Sequence, residues 1–108
     1  MRAIVTGAAS GIGRSTALRL AADAQARGEP AQLLLADISA DGLATLVEIL
    51  RGQEVEAVPY VGDLSDAQVP ERLVAAAVEA FGGLDVLVSN AGIIQRGTLL
   101  ETTTEDFD

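Results

Sequence analysis

The sequence predicts an α/β protein, built as the N-terminal half of a doubly wound parallel sheet. Three observations lead there. Short apolar runs alternate with longer segments whose apolar residues recur every three to four positions. The apolar filling is aliphatic: 49% of the 108 residues are hydrophobic but only 3% aromatic, which suits a sheet covered by helices. The first run, Ala3-Ile4-Val5, leads into a glycine-rich turn, Thr6-Gly7-Ala8-Ala9-Ser10-Gly11-Ile12-Gly13, that opens a helical pattern. Four strands joined by three helices give parallel pairing with right-handed crossovers. The expected strand order is 3-2-1-4, with strand three at an edge and a switch point between strands one and four.

Residues 2–6 are the first strand. The first helix runs from Ser10 or Gly11 to Arg27, with Ala17, Leu20, Ala21 and Ala24 as its inner stripe and Ile12 at its first turn. Gly28 suits the position after a helix end, and Pro30 prevents continuation. Gln32-Leu33-Leu34-Leu35-Ala36 is apolar without alternation, as a strand buried on both faces should be. Asp37 ends it, and Ser39 is an N-cap for the second helix. There Leu43, Leu46, Val47 and Leu50 make the inner face and Gly52 the stop. Strand three, Val55 to Val61, carries Glu54 and Glu56 near its start and Pro59 inside; both features mark an edge. Ser65 or Asp66 is expected to cap the third helix, with Pro70 in its first turn and Val69, Leu73, Val74, Ala77, Val78 and Phe81 as its apolar set. Gly82-Gly83 ends it. Leu84 to Ser89 is strand four, followed by Asn90-Ala91-Gly92 and a polar loop. Thr102-x-x-Glu105 reads as a capping box.

The bulk numbers exclude several function classes. The net charge of −9 sets 16 Asp and Glu against seven Arg with no Lys, a poor basis for binding nucleic acid or an anionic membrane. With no Cys and no His, thiol catalysis and Cys/His zinc sites are absent from these residues. No apolar run reaches the ~20 residues of a membrane span, and the N-terminus leads straight into a strand with no leader pattern. The expectation is a cytoplasmic protein.

The chemistry gathers at the strand ends. The first amides of a helix lack internal partners and sit at the positive end of its dipole, so a strand, glycine turn and helix can grip a pyrophosphate. Gly7 permits the turn, Gly11 a close backbone approach to the ligand, and Gly13 a tight helix–strand contact. The spacing Gly-x-x-x-Gly-x-Gly differs from the Gly-x-Gly-x-x-Gly dinucleotide fingerprint. An acid at the end of strand two, Asp37, can accept both hydroxyls of an adenosine ribose and would repel a 2′-phosphate. It can also cap the second helix. No Arg or Lys stands in Ala8-Ala9-Ser10 or directly after Asp37, so NAD is expected over NADP. Asp63-Leu64 can meet an adenine with a carboxylate and a backbone N–H, or can be a solvated loop. Asn90-Ala91-Gly92 lets the chain pass beside a flat ligand, or is an ordinary turn.

Taken together, Thr6 to Gly13, Asp37, Asp63-Leu64 and Leu87 to Ile93 resemble the N-terminal half of the short-chain dehydrogenase/reductase family, over essentially the whole chain. The resemblance implies a Rossmann-like fold and an oxidoreductase moving hydride between nicotinamide and an alcohol or carbonyl substrate. It implies cofactor-binding roles for Gly7, Ser10, Gly11, Ile12, Gly13, Asp37, Asp63, Leu64, Asn90, Ala91 and Gly92. Ser89 stands where the family often has a second Asn. The family's Tyr-x-x-x-Lys proton donor has no counterpart: there is no Lys, and Tyr60 is followed by Val61-Gly62-Asp63-Leu64. No catalytic residue is therefore assigned, and residues 1–108 are read as an incomplete NAD(P)-binding domain whose catalytic half is absent. The complete protein is expected to be a homo-oligomer. Strand four is expected to have an open apolar flank, to be covered by further sequence or another chain. The alternatives are a non-catalytic dinucleotide-binding module and, less well matched by the Gly-Ile-Gly turn, a methyltransferase.

Overall fold

The computed structural model describes residues 1–9, 11–63, 68–89 and the backbone of 92–94. The elements are β1 (Arg2–Thr6), α1 (Gly11–Ala26), β2 (Gln32–Asp37), α2 (Ala40–Gly52), β3 (Glu56–Val61), α3 (Val69–Phe81), β4 (Val86–Ser89) and β5 (Gly92–Ile94). The sheet order is β3-β2-β1-β4-β5. The first four strands are parallel, in the order expected, with Arg2 opposite Gln32, Gln32 opposite Glu56, and Ala3 opposite Val86.

The period of two along each strand divides the core. Ala3, Val5, Leu33 and Leu35 point to one face and pack with Ala17, Ala21 and Ala24 of α1 and Leu43, Leu46 and Leu50 of α2. Ile4, Leu34 and Ala36 point to the other and pack with Val69, Leu73, Ala77 and Phe81 of α3. The middle of β1 and β2 is fully buried, which is why those strands read as unbroken apolar runs. Alanines along α1 let the helix lie close to the sheet. Its buried positions are Gly13, Ala17, Ala21 and Ala24, so Gly13 takes the place expected for Leu20, which is only half-buried.

The helix ends follow local chemistry. After α1, Gly28 adopts φ 68°; its N–H donates to the Gln25 carbonyl and that of Glu29 to the Ala24 carbonyl, the paired bonds of a Schellman ending. Gly82 has φ 79° and donates to the Val78 carbonyl. After α2 the left-handed position falls on Glu54, φ 64°, two residues beyond the glycine expected to stop the helix. The cap expected from Ser65 or Asp66 is also corrected: those residues lie outside the described ones, and α3 is preceded by Gln68 with no side-chain cap bond. Pro70 accounts for the late start, since a proline is tolerated in the first turn and nowhere deeper.

β3 is the edge its sequence predicts. The N–H groups of Glu56 and Gly62 donate to the Ala31 and Asp37 carbonyls of the β2 segment, so even-numbered residues face the ladder and Pro59 faces outward, where its missing donor costs nothing. The outward carbonyl of Ala57 accepts from Arg51 Nε and Nη2 at 3.3 and 3.0 Å. At the other side, the open flank expected for β4 is occupied by the chain's own β5, antiparallel, with Ser89 opposite Gly92 and Leu87 opposite Ile94. An antiparallel partner needs only a short connection, whereas a parallel one needs a crossover. The Thr102–Glu105 capping box lies outside the described residues.

Candidate functional site

All four parallel strands end on the same side of the molecule, and the residues singled out from the sequence gather there. β1 ends at Thr6, whose Oγ1 donates to the Val88 carbonyl of β4 at 3.4 Å. The chain then reverses through Gly7, φ 63°, and Gly11, φ 56°, conformations that disfavour a side chain. A Cβ on Gly11 would meet nothing within 4 Å, so the space above the start of α1 is open. Gly13 is the opposite case. A Cβ there would lie 2.1 Å from the Gly7 carbonyl oxygen and 2.7 Å from its carbon, so only glycine lets α1 press on the turn. The 16-residue helix has no acid in its first turn, leaving the positive end of its dipole uncompensated by side-chain charge.

The turn is braced from β2. The Ala8 N–H donates to the Ala36 carbonyl at 3.1 Å. Asp37, half-buried at the end of β2, then receives two backbone donors: Ala9 N–H on Oδ2 at 3.1 Å and Ser39 N–H on Oδ1 at 2.9 Å. Asp37 therefore lies beside the glycine turn and also braces the segment leading into α2. Ser39 is the N-cap of α2, accepting from the Gly42 N–H at 3.2 Å. Asp63 follows β3 on the same side, exposed. Gly92 opens β5 opposite Ser89. Ser10, Leu64, Asn90 and Ala91 lie outside the described residues.

Sequence reasoning singled out Ile12 at this end but not Ile38 or Val61. These three aliphatic side chains are exposed, at 81%, 69% and 55% respectively, and each follows or ends a strand on this side. An apolar residue between a strand-ending acid and an N-cap serine is the signal that could have flagged Ile38. Ala9 was missed as the donor to Asp37, because a backbone contact leaves no mark on residue type. Tyr60 packs with the α3 cluster. Among the described residues there is no group of three or more His, Cys, Asp or Glu able to hold a metal, and no helix long and apolar enough to cross a membrane.

A parallel sheet with helices on both faces, and a glycine turn opening a helix beside its switch point, defines a Rossmann-like fold. The family model for short chain dehydrogenase matches residues 1–108, and the chain belongs to that family. It is 38% identical over 110 residues to the short-chain dehydrogenase/reductase eriH of Hericium erinaceus, covering 98% of this chain and 41% of that one. Among solved structures it resembles a short-chain dehydrogenase/reductase of Burkholderia phymatum in complex with NAD, with TM-score 0.68 and 35% identity over 79% of this chain and 28% of that one. It also resembles an alcohol dehydrogenase of the archaeon Thermococcus sibiricus complexed with 5-hydroxy-NADP, with TM-score 0.66 and 34% identity over 79% of this chain and 34% of that one. The chain therefore spans about two fifths of its curated relative and about a third of these solved chains.

Proposed function

We propose that this chain is the cofactor-binding part of an NAD-preferring short-chain dehydrogenase/reductase that moves hydride between nicotinamide and an alcohol or carbonyl substrate. The observation that carries the reading is the Asp37 carboxylate, held by the Ala9 N–H at the rim of the glycine turn. A carboxylate there accepts ribose hydroxyls and repels a 2′-phosphate. No described basic residue touches it.

The residues present fit a dinucleotide. The open space at Gly11 admits the pyrophosphate to the first amides of α1. Ile38 and Val61 offer apolar surface to the adenine beside Asp63, and Ile12 covers the linker. Ser10, Leu64, Asn90, Ala91 and Gly92 complete the proposed binding set. The bound nicotinamide supplies the hydride chemistry; the chain's own residues bind and orient it. The proton donor lies outside this chain's assigned residues.

Titration calorimetry tests the reading on the complete protein. NAD is expected to bind at least tenfold more tightly than NADP, about 1.4 kcal/mol. Asp37→Ala is expected to narrow that gap. Tighter binding of NADP, or no binding of either, overturns the assignment. The alternative, a binding module without catalysis, predicts the same calorimetry but no reduction of NAD in the presence of a panel of alcohols.

A further inference from the structure

The first turn of α2 lies against the glycine turn through a contact between two small residues. A Cβ on Gly42 would sit 2.7 Å from the Ala9 Cβ, 3.3 Å from the Ala9 carbonyl oxygen and 3.2 Å from Ser39 Oγ. Ala9 is the residue whose N–H is held by Asp37. Ser39 is held by the same carboxylate and in turn accepts from the Gly42 N–H. Ala9, Asp37, Ser39 and Gly42 therefore form a closed ring: carboxylate to turn, carboxylate to cap, cap to helix, and helix back against turn. Gly42 has ordinary negative φ, so the demand for glycine there is spatial and does not come from the backbone conformation.

We infer that Gly42 is a positioning residue of the dinucleotide site: by letting α2 close on Ala9 it fixes the Ala9 N–H against Asp37, and with it the course of the glycine turn. This inference rests on the cofactor reading above for its binding consequence, but not for its structural one. A methyl at position 42 has two ways out. It pushes Ala9 off the Asp37 carboxylate, or it lifts the α2 start and pulls Ser39 away. In both cases Asp37 loses one of its two backbone donors and turns relative to the site. The obstructing atom on the turn is a single methyl, so removing it from Ala9 makes room again.

The experiment compares wild type, Gly42→Ala, Ala9→Gly and the double variant by two readouts. The first needs no ligand: the amide NMR shift and hydrogen-exchange protection of Ala9. Gly42→Ala is expected to move the shift and lower the protection, and the double variant to return the Asp37 and Ser39 amides toward their wild-type positions. The second is NAD affinity by calorimetry. Gly42→Ala is expected to weaken binding about tenfold, from the usual cost of overpacking a close contact, and the double variant to bind more tightly than Gly42→Ala alone. Thermal unfolding accompanies both, since a merely structural role would lower stability without recovery of affinity in the double variant. Ala9 and Ser39 amides that both stay unmoved in Gly42→Ala overturn the inference, as does a double variant that binds no better than the single. If wild type binds no NAD while the Ala9 amide responds as described, the positioning role stands and the cofactor reading falls.

Discussion

The two ends of the parallel sheet are held by different chemistry. At the N-terminal end of the strands, Arg2 and Asp85 form an ion pair across β1 and β4. Arg2 Nη2 meets Asp85 Oδ1 at 3.1 Å, and Arg2 Nε and backbone N both donate to Oδ2, at 3.2 and 2.9 Å. The terminal ammonium donates to the Pro30 carbonyl at 2.6 Å, and Gln25 reaches from α1 to the Gln53 carbonyl. At the C-terminal end, the described contacts around the turn include backbone amides on one carboxylate, a backbone amide and a hydroxyl on carbonyls, and glycines in close approach. Both ends carry an aspartate receiving backbone N–H groups. Of these two, and among the described residues, only Asp85 has a guanidinium as well. On the proposed reading, an end that accepts an anionic ligand cannot fill its donors with its own charges, and it relies instead on tight backbone packing. The far end has no such obligation and is tied by charge.

The largest effect expected from that contrast is at Gly13. Gly13→Ala places a methyl against the Gly7 carbonyl, which is backbone and cannot swing aside. The cost should be about 1–3 kcal/mol of unfolding free energy in urea titration, together with loss of NAD binding. A variant that keeps both would show that the turn is looser than its geometry implies, and the contrast between the ends would weaken.

The middle of the sheet was legible because burial on both faces imposes a simple pattern. Leu33-Leu34-Leu35 could hardly be anything but a central strand, and Pro59 could hardly lie anywhere but an edge. Gly7, Gly11 and Gly13 were legible because their conformations and contacts demand glycine. Less legible was whatever depends on contacts between segments. Nothing about Gly42 in sequence distinguishes it from any helix-start glycine until Ala9 is seen against it. The start of α3 was missed because the segment from Ser65 offers several polar caps, and Pro70 selected among the possible starts. The pairing of Gly92–Ile94 with β4 was missed because three residues are too few for periodicity to speak.

The next effect falls at the charged end. Hydrogen bonds from the Arg2 side chain hold the Asp85 carboxyl below the usual carboxylate range; partial burial opposes them, while the Arg2 backbone N–H and the charge of Arg2 add to them. A carboxyl depressed in the folded state binds fewer protons there than when unfolded. Its stabilisation is therefore full above the unfolded value, about 3.9, and is lost as pH falls through the lower folded value. Asp85→Asn is expected to cost about 1 kcal/mol at neutral pH, since the pair is partly exposed. It should also flatten the loss of stability below about pH 4, and leave NAD affinity unchanged. Denaturant titrations across that range would show it. A parallel shift of the two curves would mean that other carboxylates carry the acid sensitivity.

The smallest expected effect is a gain. Glu54 takes up φ 64° between α2 and β3, at the charged end of the sheet, and its N–H still donates to the Arg51 carbonyl at 3.0 Å. The left-handed conformation costs a residue with a Cβ about 1–2 kcal/mol. Glycine removes that cost but gives back about 0.4–1 kcal/mol through the freer unfolded chain, so Glu54→Gly should raise stability by about 0.5–1 kcal/mol. Removing one negative charge from a chain at −9 would favour the folded state too, and Glu54→Ala separates the two causes. Alanine removes the charge and keeps the strained backbone, so it should recover little of the gain. Equal gains from alanine and glycine would assign the effect to charge repulsion. On the proposed reading this position lies at the end away from the dinucleotide, so neither change should alter dinucleotide affinity.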